Sequence, residues 1–337
     1  MIQNDGIIST DPSSAAATED EDIPVDVEYR SVTVSAAQHG QRLDKALADI
    51  LPEFSRSYLQ QLVAAGQVTW QTKVAEKPSA RVKAGDALVV ELRPTPQSQA
   101  FKPQAMHLDI VFQDEHLIVV NKPAGLVVHP APGNWSGTLL NGLLAHDPQI
   151  ALVPRAGIVH RLDKDTSGLM VVARTRPVMD ALVQAIAARE VGRQYLAVGQ
   201  KAWSGPVKRS VEAAIGRDPR NRLRMAVIDL DTSHGKTAKT DFILLSNCVH
   251  ACLVHCILHT GRTHQIRVHM ASIGHVLVAD TVYGGVLVER MQRQALHAFR
   301  LEFDHPVTGK RRQFRALPPA DFDGLLDYWG LSYNPEI

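Results

Sequence analysis

An acidic side chain set among cations, between two apolar runs, is the first feature of this sequence that could do chemistry. Gly157–Ile158–Val159 and Leu169–Met170–Val171–Val172–Ala173 enclose a polar loop in which Asp163 is flanked by His160, Arg161 and Lys164. The β-branched content of both runs predicts strands, and Asp165, Thr166, Ser167 and Gly168 supply turn chemistry between them. Asp163 is therefore expected on a short, geometrically fixed connection. A nearby opposite charge keeps a carboxylate ionised, which suits a nucleophile or an electrostatic stabiliser better than a general acid. Two other readings compete. The Asp and Ser side chains could simply satisfy the backbone donors of a turn. A calcium loop would take Asp163, Asp165, Ser167 and Gly168 as its first, third, fifth and sixth places, but the twelfth is Arg174, where a bidentate Glu is required. That reading fails.

Four further stretches carry residues of the same kind. Asn121–Lys122–Pro123–Ala124–Gly125 precedes the loop, with Val127–Val128–His129–Pro130 close behind. Arg193–Gln194–Tyr195–Leu196–Ala197–Val198 reads as a strand, Gly235–Lys236–Thr237–Ala238–Lys239–Thr240 as another, and Thr260–Gly261–Arg262–Thr263–His264–Gln265–Ile266–Arg267–Val268–His269 as a basic cluster after an apolar strand. Together with His160–Arg161–Leu162–Asp163–x–x–Thr166–Ser167–Gly168, and in this order, they resemble the RluA-type pseudouridine synthases.

The resemblance implies roles that spacing alone does not supply. Asp163 would be the one obligatory catalytic residue, and Tyr195 would stack on the target base and manage a proton. Arg262 would pair with Asp163, since an Arg fork matches two carboxylate oxygens and stays charged. Arg161 would fill the space left by an extruded base, with His160, Lys122 and Lys236 as further substrate contacts. The implied reaction is isomerisation of uridine to pseudouridine within intact RNA after base flipping, in 23S ribosomal RNA, at helix 69 of domain IV. It oxidises, reduces and hydrolyses nothing, so no cofactor or metal is expected. Other uridines of 23S rRNA, a non-catalytic S4-type RNA-binding or ribosome-assembly factor, and a metal-dependent RNA hydrolase remain as alternatives.

Elements must position these residues, and the chain is long enough, at 337 residues, for two domains. The net charge of +1 conceals an asymmetry. Residues 1–28 hold eight acidic side chains and no Lys or Arg, which leaves 36 basic against 27 acidic residues in the remainder. A basic body suits a polyanion-binding protein, and the acidic leader reads as disordered. Residues 29–93 predict a strand, a helix with Leu43, Leu47 and Ile50 on one face, a second helix capped by Ser55 and closed by Gly66, and strands at Val68–Trp70 and Ala87–Leu92. This layout resembles an S4 RNA-binding module, which would carry Arg42, Lys45 and Arg56 to the RNA backbone. Residues 94–104, rich in Pro and Gln, read as a linker, and residues 105–329 as the catalytic domain. The expected class is α+β: the S4-like α/β module followed by a mixed, mostly antiparallel sheet flanked by helices.

Cys248, Cys252 and Cys256 make no disulfide framework, so a reducing cytoplasm is expected. On one strand they would stand roughly 13 Å apart, too far for one zinc unless a turn near His250 regroups them. No signal peptide or membrane span is evident. The expected partner is 23S rRNA or an assembling large subunit, bound by a monomer.

Overall fold

The computed structural model describes residues 28–92, 100–221 and 224–337. The acidic leader, Glu28 excepted, and residues 94–99 of the linker lie outside the described residues. The chain divides into two compact units that part at Thr95 and Pro96.

In the first unit β1 (Glu28–Thr33) is followed by helices α1 (Leu43–Ile50) and α2 (Arg56–Ala64), then β2 (Val68–Trp70), β3 (Lys73–Val74) and β4 (Ala87–Leu92). The strands form an antiparallel sheet in the order β1-β4-β2-β3. Ser55 caps α2 by accepting the Tyr58 N–H, as the sequence predicts. Leu43 and Leu47 of α1 pack with Leu59, Leu62 and Val63 of α2 on Leu88 and Val90 of β4, so the apolar face of each helix is spent on the sheet. The β2–β3 hairpin closes over Gln71–Thr72, and Gln71 takes the left-handed conformation a turn of this kind needs, φ 57°.

The second unit is built on a nine-stranded sheet. Its strands are β5 (Ile110–Gln113), β6 (Leu117–Lys122), β7 (Ser167–Ala173), β8 (Gly192–Gln200), β9 (Lys208–Glu212), β13 (Lys239–Asn247), β14 (Ala251–Leu258), β15 (Leu296–Asp304) and β16 (Arg311–Arg315). A small sheet of β10 (Ile215–Arg217), β11 (Met225–Val227) and β12 (Gly235–Lys236) stands beside it. The main order is β5-β6-β7-β15-β8-β14-β13-β9, with β16 on β15. Among these pairings β7 with β15 alone is parallel, so the sheet is mixed and mostly antiparallel, as expected. Helices α3 (Leu139–His146), α4 (Arg176–Ala187), α5 (Gln265–Ser272) and α6 (Ala320–Trp329) cover it. Ile118, Val120, Met170, Val172, Ala197, Val254 and Leu296 form one core face, and Leu117, Val119, Val171, Leu301 and Phe303 belong to another.

Three local expectations are corrected. Gly157–Val159 is not a strand: Pro154–Gly157 is a tight turn, and only Ile158 makes a bridge, to Val172. Gly157 has φ +72°, and a Cβ there would overlap the Ala173 carbonyl, so only glycine admits this close approach to β7. Residues 100–104 are no free linker, because Asn141 of α3 donates to the Ala100 and Lys102 carbonyls, at 3.2 and 2.8 Å. The catalytic unit also continues past residue 329, with Leu331 buried and Ile337 packed on the core near α6. Among the described residues no helix is long and apolar enough to cross a membrane.

Candidate active site

The loop carrying Asp163 is fixed by its backbone. Thr166 N–H closes a turn on the Asp163 carbonyl at 3.1 Å. The Lys164 carbonyl accepts from the Gly125 N–H and from the Lys122 ammonium, at 3.0 and 2.9 Å. Arg293 donates to the Asp165 carbonyl at 2.9 Å while its fork holds Asp321 of α6. Behind the turn, Gly168 has φ +119° and lies so close to β15 that a Cβ would overlap the Ala298 carbonyl oxygen. The Thr–Ser–Gly end of the motif is thus the point where β7 joins its parallel neighbour, and Asp163 is held at the end of that junction.

Lys122 does not reach solvent or a phosphate. It is 1 % exposed, and its three donors go to the carbonyls of Pro123, Leu126 and Lys164. Burial pulls its pKa down to about 7, against the charges of Asp165 and Asp163. The expected substrate contact is therefore corrected to a brace between two loops. His160 is also corrected: it is not a cation. Its Nε2 accepts the Val171 N–H at 3.1 Å, and burial, helped by Arg193, pulls its pKa down to about 3.

The expected pairing of Asp163 with Arg262 is corrected as well. The partner is Arg267, whose Nη1 donates to Asp163 Oδ2 at 3.0 Å. The same guanidinium holds Asp280 through two bonds of 2.7 and 2.8 Å. Burial works against the Arg267 charge, but hydrogen bonds and charge from Asp280, then Asp163, raise its pKa above the ordinary value. Asp280 balances the arginine, so the trio retains one negative charge, on the more exposed Asp163. Arg262 Nε donates instead to the Thr237 carbonyl at 3.1 Å. The difference arises at the start of α5, where His264 takes φ 57° and turns the chain so that Arg267 points inward.

The sequence reading missed Arg267, Asp280, Tyr283 and His264 as site residues. Tyr283 packs its ring 5.2 Å from the Arg267 guanidinium. Its hydroxyl accepts the Met225 N–H at 3.1 Å and lies 2.9 Å from His264 Nδ1. The hydroxyl proton is then free for Nδ1, which places the imidazole proton on Nε2, the nitrogen 3.9 Å from Asp163 Oδ2. The available signal was Asp280–x–x–Tyr283, two polar residues just after the buried Leu277–Val278–Ala279.

Asp163 opens onto a cleft of about 610 Å³. Tyr195 of β8 lies in its wall, two residues from Arg193 and on the same strand face. Burial pushes the Tyr195 hydroxyl up to about 12, opposed by Arg193. Arg155, Arg161, Arg189, Arg193, Arg262 and Arg267 line the cleft, and Asp163 is the only carboxylate among the described lining residues. Such a cavity favours an anionic ligand carrying a ring. Lys236 is exposed on β12 and does not line it. Among the described residues no three His, Cys, Asp or Glu side chains are grouped to hold a metal. Cys252 and Cys256 are buried on β14, and the turn near His250 does form.

In the first unit Asp44 is fully buried and takes the forks of Arg42 and Arg56 together with Gln60. Those bonds, Arg42's first, hold its carboxyl well below the usual range despite burial. The two guanidinium groups remain about half exposed, fixed side by side on the helix pair, and Lys45 is exposed next to them.

Residues 116–272 match the family model described as RNA pseudouridylate synthase, and residues 41–88 match that of the S4 domain. A ribosomal large subunit pseudouridine synthase D of Neisseria meningitidis serogroup B is 46 % identical over 96 % of this chain and 87 % of its own length. The protein of that name from Escherichia coli K12 is 42 % identical over 88 % of this chain and 93 % of its own. The fold of the human RNA pseudouridylate synthase domain containing 1 matches with a TM-score of 0.52 at 24 % identity, over 69 % of this chain and 99 % of that one. With the identity carried across nearly its whole length, this chain belongs to the RluA-type family of RNA pseudouridine synthases, an enzyme family, and carries an S4 domain ahead of the synthase domain.

Proposed function

We propose that this enzyme isomerises uridines of the large-subunit, 23S ribosomal RNA, at helix 69, with Asp163 as the nucleophile and the target base flipped into the cleft. One observation carries the reading: Asp163, held by Arg267, is the one carboxylate among the described residues lining a cleft that also presents six arginines and the buried Tyr195. The relatives' names support the large subunit as the source of substrate, and the half-exposed Arg42 and Arg56 supply backbone contacts that position without reading sequence.

In the reaction the N1–C1′ bond breaks, the uracil turns, and C5 bonds to C1′. C5 gives up its proton and N1 gains one, so atoms balance with no co-reactant. Asp163 Oδ2 is occupied by Arg267, while Oδ1 has no protein hydrogen-bond partner among the described residues and is the oxygen left to react. Asp163 attacks C1′ or the base, or assists formation of a glycal. Tyr195 supports the uracil while it is loose, and Arg161, exposed at the cleft, fills the stack the base has left. A duplex or stacked uridine must leave its neighbours at a cost of a few kcal/mol, which the cationic cleft offsets.

Mapping pseudouridine by chemical labelling across 23S rRNA, in cells with and without this protein, tests the reading. Loss confined to helix 69 is the expected result. An unchanged map overturns the proposed target.

A further inference from the structure

Of the six arginines among the described cleft residues, two are buried, Arg267 and Arg193. Arg267 lies between two carboxylates. Arg193, 6 % exposed, pairs with no carboxylate among the described residues, and its Nε is buried without a hydrogen-bond partner. A desolvated guanidinium in that state is costly, and burial and the nearby Arg262 lower its pKa, with Tyr195 opposing. The neighbouring backbone nevertheless makes room for it. Gly261 lies across the cleft wall, and a Cβ at that position would stand 2.6 Å from Arg193 Nη1. A buried cation, an open donor and a glycine that admits it describe a place for an anion.

The occupant follows from the chemistry of the substrate. Uracil and ribose are neutral, so a phosphodiester is the only formal charge a nucleotide brings into the cleft. Arg193 and Tyr195 are two residues apart on one face of β8, roughly 7 Å along the strand. A base resting on Tyr195 therefore keeps its own phosphate within reach of the arginine. We propose that Arg193, admitted by Gly261, forms an anion subsite that takes a phosphodiester flanking the target uridine. This rests on the pseudouridylation reading above.

The test uses the full chain and short RNAs in which the wild type forms pseudouridine, each carrying one uncharged methylphosphonate in place of a phosphate. The wild type should lose roughly 10- to 100-fold in kcat/KM when one of the two linkages flanking the target is neutral. The loss should appear in KM, because a phosphate is held alike in ground and transition states. Arg193→Met should cost the same factor on ordinary RNA and nothing further on that modified RNA, and should lower the salt-dependence slope by about 0.7. Gly261→Ala, which displaces the guanidinium without removing it, should behave likewise, and Arg193→Lys should recover part of the loss. Multiplying effects at every linkage, or a loss confined to kcat, overturn the subsite while leaving the enzyme reading intact. A wild-type chain inactive on every RNA overturns both.

Discussion

Replacing Arg267 by methionine removes the cation between Asp163 and Asp280, and its cost can be worked from burial. Asp280 is 1 % exposed and loses both hydrogen bonds of the fork. Breaking a buried pair from one side costs about 3–5 kcal/mol, since the remaining charge is stranded. Asp163, with 18 % of its side chain exposed, can draw on cleft water and adds little. For a unit of this size each kcal/mol moves the melting temperature by about 2–4 °C, so the synthase unit should melt on the order of 10 °C lower. Adding Asp280→Asn removes the stranded charge and should restore more than half of the loss, without restoring activity. Arg262→Met, which gives up one bond to the Thr237 carbonyl, should stay within about 0.5 kcal/mol of the wild type. Calorimetry of the full chain, paired with pseudouridine formation, reads all three. If Arg262→Met lowers stability and rate as far as Arg267→Met does, or if Arg267→Met is stable and active, the assignment of the ion pair is wrong.

Two further outcomes follow from the junction of β7 and β15. His297 is 1 % exposed, lies 2.9 Å from the Ser167 hydroxyl, and meets the Ala316 carbonyl at 3.1 Å, so its two nitrogens are served in the neutral form. Burial pulls its pKa down to about 4. The unfolded chain takes up this proton below about pH 6.5 while the folded chain resists until about 4. The contribution is therefore full above 6.5 and falls by about 3 kcal/mol as pH drops to 4. Urea unfolding across that range should show a shallower pH dependence for His297→Gln, and identical profiles would refute it. Gly168→Ala forces a side chain into β15 at a left-handed φ, and should cost more than about 2 kcal/mol; a variant as stable as the wild type would show that the close approach is not needed.

Much of this architecture was legible because local pattern and tertiary need agree. The helices of the S4 unit follow apolar spacing and the Ser55 cap, and β6 and β7 follow their β-branched runs. The failures fall where a residue's surroundings decide its role. Arg262 and Arg267 stand five positions apart in one motif, and which of them meets Asp163 depends on a left-handed histidine that no composition rule marks. Lys122 reads as a phosphate contact or as a structural strand–turn residue, and only the three carbonyls that converge on it from two loops decide for the second. Asp280 is 117 residues from Asp163 in sequence, and only the fold makes them share a guanidinium.

The most direct test is single-turnover pseudouridine formation by Asp163→Asn, with RNA affinity and melting temperature measured on the same preparation. The substitution removes the charge and the reactive oxygen while nearly preserving shape. RNA binding within about threefold of the wild type, with the rate down by more than roughly 10⁴-fold, equivalent to about 5.5 kcal/mol of barrier, is the predicted result. Pseudouridine appearing at a rate within tenfold of the wild type would contradict the account.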